Sequence, residues 1–139
     1  MTRTVAEKMG VRAGVRAHLV GAPPEAVAAM QLPALELADR LEGSFDHLHL
    51  FVTRQERLTA ALGPLREHLR PRGALWVSWP KGGGLGTDLT LPVVIRLAYD
   101  AGLVESTCLR VDDTWSALKL TRPIPGKTYH NSYGTLPEA

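Results

Sequence analysis

The densest run of residues able to do chemistry is 80–87, Pro80-Lys81-Gly82-Gly83-Gly84-Leu85-Gly86-Thr87. Gly82, Gly83, Gly84 and Gly86 carry no Cβ, so the chain there can turn through positive φ and present bare N–H groups. Lys81 adds a positive charge, and Asp88 and Thr90 stand where a following helix would begin. Glycine-turn amides ahead of a helix N-terminus favour a small anionic ligand, a phosphate or a carboxylate. The lysine precedes the glycines, the reverse of a P-loop, which disfavours a nucleoside triphosphate. The same glycines would also serve a loop that is merely slack. Trp79 and Trp115 lie at the ends of two apolar runs near this loop. Either indole can stack on a flat ligand, or close the core with its N–H at the rim. These nine residues form the expected ligand-binding set.

Other reactive side chains carry plainer readings. His47 and His49 are two apart and share one face of a strand. They would chelate a metal only with a third ligand from elsewhere, and otherwise pack as hydrogen-bonded core histidines. No metal site is expected. Asp112-Asp113 precedes Thr114, where aspartate favours a turn over paired acid–base work. Ser78, Ser116 and Cys108 have no histidine at a nucleophile's spacing, so no catalytic residue is assigned. Cys108 is the only cysteine, which excludes an internal disulfide, and it reads as a small buried hydrophobe.

The elements that must position these residues alternate. A short helix over 4–9 takes Thr4 as cap and Gly10 as stop. A strand follows over 15–20, then Gly21, then a helix opened by Pro23-Pro24. Residues 34–41 fit a strand or a helical turn. The next strand spans 45–52. Leu58, Leu62, Leu65 and Leu69 then recur on one helical face, with Gly63-Pro64 expected to kink or split the helix. Pro71 and Gly73 end it, a strand follows over 74–79, and after the glycine loop a helix capped by Asp88 or Thr90 runs to about Ala101. Strands over 104–111 and 115–121 close the order as a hairpin. Residues 1–121 thus read as one α/β domain with a mainly parallel sheet. Residues 122–139 read as an extended tail that Tyr129 and Tyr133 pin to the body or to a second subunit.

Sixteen Lys and Arg against fourteen Asp and Glu give a net charge of +2, too slight a balance to argue for nucleic acid or an anionic membrane. No signal-peptide run and no membrane-spanning stretch is visible, which places the chain in the cytoplasm.

This order of elements resembles the class I methyltransferases, whose sheet also ends in an antiparallel hairpin. Phe45-Asp46 resembles the opening of their central strand, and Leu69-Arg70-Pro71-Arg72-Gly73-Ala74-Leu75-Trp76-Val77 resembles the passage into the next. The resemblance covers about residues 15–121. It implies a methyltransferase-like Rossmann fold with an antiparallel edge hairpin at its C-terminal end. The blocks at 74–81, 87–90 and 111–119 resemble more closely an uncharacterised bacterial family of small domains, which implies no particular activity.

A methyltransferase would be expected to follow its first strand with glycines, so that amides approach the cofactor. Gly21-Ala22-Pro23-Pro24 stands there instead, and two prolines remove two donors. From this, no cofactor is expected and S-adenosylmethionine is disfavoured. The expected function is a non-catalytic methyltransferase-like module binding a small anion or a protein. The alternatives are a divergent S-adenosylmethionine-dependent methyltransferase, and a structural protein that forms homo-oligomers through its tail.

Overall fold

The computed structural model describes residues 2–139. Helix α1, Val5–Met9, begins in a capping box: Thr4 Oγ1 accepts from the Glu7 N–H at 3.1 Å, and Glu7 Oε1 accepts from the Thr4 N–H at 3.0 Å. Then come β1 (Arg16–Val20), α2 (Pro24–Met30), β2 (Glu36–Leu37), β3 (Phe45–Phe51) and α3 (Gln55–Glu67). Strand β4 (Leu69–Pro80) runs into a 3-10 segment, Lys81–Gly86, and is followed by α4 (Leu91–Asp100), β5 (Val104–Arg110) and β6 (Trp115–Thr121). The six strands form one sheet in the order β2-β1-β3-β4-β6-β5. The first four are mutually parallel, and β6 inserts antiparallel between β4 and β5, so the sheet ends in the expected edge hairpin.

Period-2 alternation sends successive residues of the central strands to opposite faces. Leu48 and Leu50 of β3, Leu75 and Val77 of β4, and Leu118 and Leu120 of β6 meet Leu58, Leu62 and Leu65 of α3 and Val94, Ile95 and Ala98 of α4. Each such side chain, fully buried, contributes about 1.5–3 kcal/mol of transfer free energy. The other face is thinner: Phe51, Trp76, Trp115 and Ala117 pack on Met9 of α1 and on Ala26 and Met30 of α2.

Four local expectations are revised. Of the kink or split expected at Gly63-Pro64, the split does not occur, and α3 continues through both residues. Gly63, Pro64 and Ala60 are all exposed, so the carbonyl that the proline leaves without its donor faces water. Residues 34–41 are mostly loop, with a two-residue strand at Glu36–Leu37. Strand β4 starts at Leu69 rather than at 74, and its pairing with β3 jumps from Phe45–Leu69 to His47–Ala74, so residues 70–73 form a bulge in which 70–72 are exposed and Gly73 is buried. Cys108 is exposed, because it lies on the edge strand β5 and not in the core.

Residues 122–139 form no helix or strand and lie back on the body. Arg122 donates to the Leu69 carbonyl at 3.2 Å and also to that of Arg66, while Asn131 donates to Glu105 Oε1 at 2.6 Å. Tyr129 and Leu136 pack against the larger core, and Tyr133 is exposed. Among the described residues no helix is long and apolar enough to cross a membrane.

Candidate functional site

Strand β1 leads through α2 to β2 on one side of itself, and the chain then crosses to β3 on the other side. The carboxyl ends of β1 and β3 therefore border a topological switch point, where open α/β sheets bind their ligands. A cleft of about 700 Å³ opens there. Val20 and Gly21 from the end of β1, residues 50–53 from the end of β3, Arg57, Ala60 and Ala61 from α3, and Trp115 at the start of β6 line it.

Gly21 makes this cleft possible. Its φ is +67°, and a Cβ there would lie 3.1 Å from the Phe51 carbonyl oxygen, so backbone approaches backbone where β1 and β3 part. Trp115 is 7% exposed and meets Phe51 edge-on at 5.2 Å between ring centroids. Its position follows from the aspartate turn read in the sequence. Asp112 Oδ1 accepts from the N–H groups of Thr114 at 2.9 Å and Trp115 at 2.8 Å, and so fixes where β6 begins.

The sequence-derived set is distributed along this edge of the sheet. Trp115 reaches the cleft. Trp79 is 4% exposed and belongs to the larger core. Gly82, Gly83 and Gly86 adopt positive φ as the spacing requires, Gly84 is extended, and the loop is anchored by the Lys81 N–H donating to the Thr114 carbonyl at 2.9 Å. Thr90 starts α4 through its carbonyl, which accepts from the Val94 N–H at 3.0 Å, with no bond from its side chain.

Asp88 caps α3 rather than α4. Its Oδ1 accepts from the Gln55 N–H at 2.8 Å, and its other oxygen lies 3.4 Å from Arg54 Nη2. Thr87 Oγ1 donates to the Thr53 carbonyl at 2.6 Å. Together these bonds tie the glycine loop to the mouth of the cleft. Asp88→Ala is expected to lower stability by about 1 kcal/mol, as for loss of a helix cap, seen as a lower urea midpoint at unchanged slope.

His47 and His49 are buried, 6.1 Å apart between ring centroids. His49 Nε2 lies 2.7 Å from Ser78 Oγ, a contact between β3 and β4 across 29 residues that no local spacing reveals. Burial and the charge of Lys119 push His47 down to about 4; burial and His47 push His49 well below its ordinary value, so both imidazoles are neutral. Among the described residues no group of three His, Cys, Asp or Glu is placed to hold a metal. Sequence reasoning missed Thr53, Arg57, Ala60 and Ala61. A strand order that reverses at β1 leaves no local signature, and Gly21 at the end of β1 was the one available signal.

No protein-family model matches the chain, and no curated protein matches it in sequence. Solved structures do match in fold. A methyltransferase from Pyrococcus furiosus superposes with a TM-score of 0.60 at 16% identity, covering 86% of this chain and 81% of that one. The ribosomal protein L11 methylase from Lactobacillus delbrueckii subsp. bulgaricus gives 0.55 at 16% identity, over 85% and 74%. The magnesium protoporphyrin IX methyltransferase from Synechocystis PCC 6803, solved with S-adenosylhomocysteine bound, gives 0.55 at 15% identity, over 85% and 78%. At these identities the likeness shows the fold: a methyltransferase-like Rossmann domain.

The expectation that the chain takes no cofactor is corrected by these neighbours. The Synechocystis enzyme was solved both with S-adenosylhomocysteine and with S-adenosylmethionine, so this fold does accommodate the nucleoside cofactor. Two missing proline amides do not by themselves close such a fold to the cofactor. Pro23 is the cap and Pro24 the first residue of α2, and neither lines the cleft, so their missing N–H groups do not decide its capacity.

Proposed function

We propose that this chain is a divergent S-adenosylmethionine-dependent methyltransferase whose cofactor lies in the switch-point cleft. The observation that carries the reading is the Gly21 bend, where a bare backbone at φ +67° borders a cleft of about 700 Å³ between the ends of β1 and β3. That volume is within the range of small-molecule sites, about 300–1,000 Å³. Ala60 and Ala61 offer an apolar wall to a nucleoside, Trp115 a flat edge, and Arg57 a cation for the carboxylate of the methionine end. Bound there, the cofactor would supply an electrophilic methyl group.

The glycine loop has a place in the same reading. It leaves the end of β4, next to β3. Lys81, Gly82, Gly83, Gly84 and Gly86 would then supply charge and amides to an anionic group on the acceptor.

Calorimetric titration of the full chain with S-adenosylmethionine tests the reading. Saturable binding is expected, with Arg57→Ala about tenfold weaker for loss of one charge-assisted contact. Absence of saturable heat at millimolar cofactor would remove the methyltransferase reading.

A further inference from the structure

We propose that the opposite, amino-terminal edge of the sheet holds a separate site for a small phosphorylated molecule. A pocket of about 510 Å³ lies there, lined by residues 9–12 at the end of α1, by residues near the starts of β3 and β4, and by Lys119 of β6. It sits on the thinly covered face of the sheet, at the start of β3, whereas the cofactor cleft sits at the end of the same strand.

The charge in this pocket is one-sided. Arg12, Arg70, Arg72 and Lys119 line it against one carboxylate, Asp46. Asp46 is engaged, accepting from Arg70 Nη1 at 2.6 Å and from the Arg16 N–H at 3.2 Å. Arg12, Arg72 and Lys119 have no carboxylate partner among the described residues. Three cations thus converge on one hollow in a chain whose net charge is only +2. A phosphate monoester, with about 1.5–2 negative charges at neutral pH, complements them.

Two unpartnered buried groups line the same pocket. Trp76 is 1% exposed and His47 4%, and Trp76 Nε1 and His47 Nε2 have no hydrogen-bond partner among the described residues. An indole N–H only donates, so any partner it gains must be an acceptor. Buried donors are ordinarily satisfied, and these two side chains border the hollow that the three cations line. Beyond the rim formed by Arg72 and Lys119 a smaller hollow of about 240 Å³ adds Lys127, leaving room for a second anionic group. The bounded size favours a small molecule over a polynucleotide, which would track an extended basic surface.

The probe is inorganic pyrophosphate, titrated at constant ionic strength into the full ¹⁵N-labelled chain. The readout is the three tryptophan indole signals, with Trp76→Phe identifying that of Trp76. A saturable downfield shift of the Trp76 N–H is expected. Arg72→Gln with Lys119→Gln should weaken binding about 100-fold, each lost charged contact being worth about tenfold. Should that double variant fail to fold, Arg12→Gln should weaken binding about tenfold alone. S-adenosylmethionine binding should be unchanged in these variants, so failure here is distinguishable from failure of the cofactor reading. No saturable shift, an unchanged affinity in the charge variants, or binding only of single-stranded oligonucleotide that tightens with length would overturn the proposal.

Discussion

Gly21→Val is expected to abolish S-adenosylhomocysteine binding while leaving a folded, less stable protein. Two costs coincide at this residue. The left-handed region costs an L-residue about 1–2 kcal/mol, and a β-branched side chain there is a true outlier. The new Cβ would also lie 3.1 Å from the Phe51 carbonyl, with two further methyl groups to place. The turn must therefore move away from β3, and the geometry of the cleft changes with it. Gly82→Val separates these terms. Gly82 has a similar φ of +62° but nothing within 4 Å of its Cβ position, so that variant bears the backbone strain alone. Calorimetry should find the heat of S-adenosylhomocysteine binding lost in the first variant and kept in the second.

Acid is expected to destabilise the domain well before its carboxylates protonate. His47 titrates near 4 in the folded protein against 6.5 for an ordinary histidine, because burial and the neighbouring Lys119 charge disfavour the imidazolium. Above pH 6.5 both folded and unfolded chains hold a neutral ring, and this residue contributes nothing to the pH dependence. Between 6.5 and about 4 the unfolded chain takes up a proton that the folded one refuses, so stability falls as pH falls. The loss by pH 4 amounts to about 3 kcal/mol for His47, a large share of the roughly 5–15 kcal/mol that holds a domain together. His49 is shifted in the same direction and adds to it. Asp46, held low first by its bond from Arg70, loses its contribution only below 3.8, in a separate window. Urea unfolding across pH 7 to 4 checks this: the midpoint should drop steeply between 6 and 4, and His47→Phe should flatten that drop. His47 Nε2 has no hydrogen-bond partner among the described residues, so the substitution removes the titration at no cost to a bond from that atom.

Much of the architecture was legible because the local signals agreed with one another. Thr4 and Gly10 bracket α1, Leu58, Leu62 and Leu65 share the buried side of α3, and Asp112 turns the chain into β6. Two of the local failures have solvent reasons. Pro64 was expected to kink or split α3; it does not split it, because its exposed side lets water serve the freed carbonyl. Cys108 was read as buried from its apolar neighbours, yet an edge strand leaves it open.

The candidate site was half legible. Trp115 was identified, and Gly21 was noticed but judged by the prolines after it. Only the sheet order shows that β3 and α3 bound the cleft together with Gly21, while Pro23 and Pro24 stand outside it. The basic pocket was invisible in sequence, because Arg12, Arg72 and Lys119 are brought together only by the pairing of β3, β4 and β6 and by the loop after α1.

A crystal structure of the full chain grown with S-adenosylhomocysteine decides where the cofactor lies. The nucleoside is expected beside Gly21, between the ends of β1 and β3, with Ala60–Ala61 on one side and Trp115 at its edge. Density for the ligand anywhere else, or an empty cleft at saturating concentration, would contradict it.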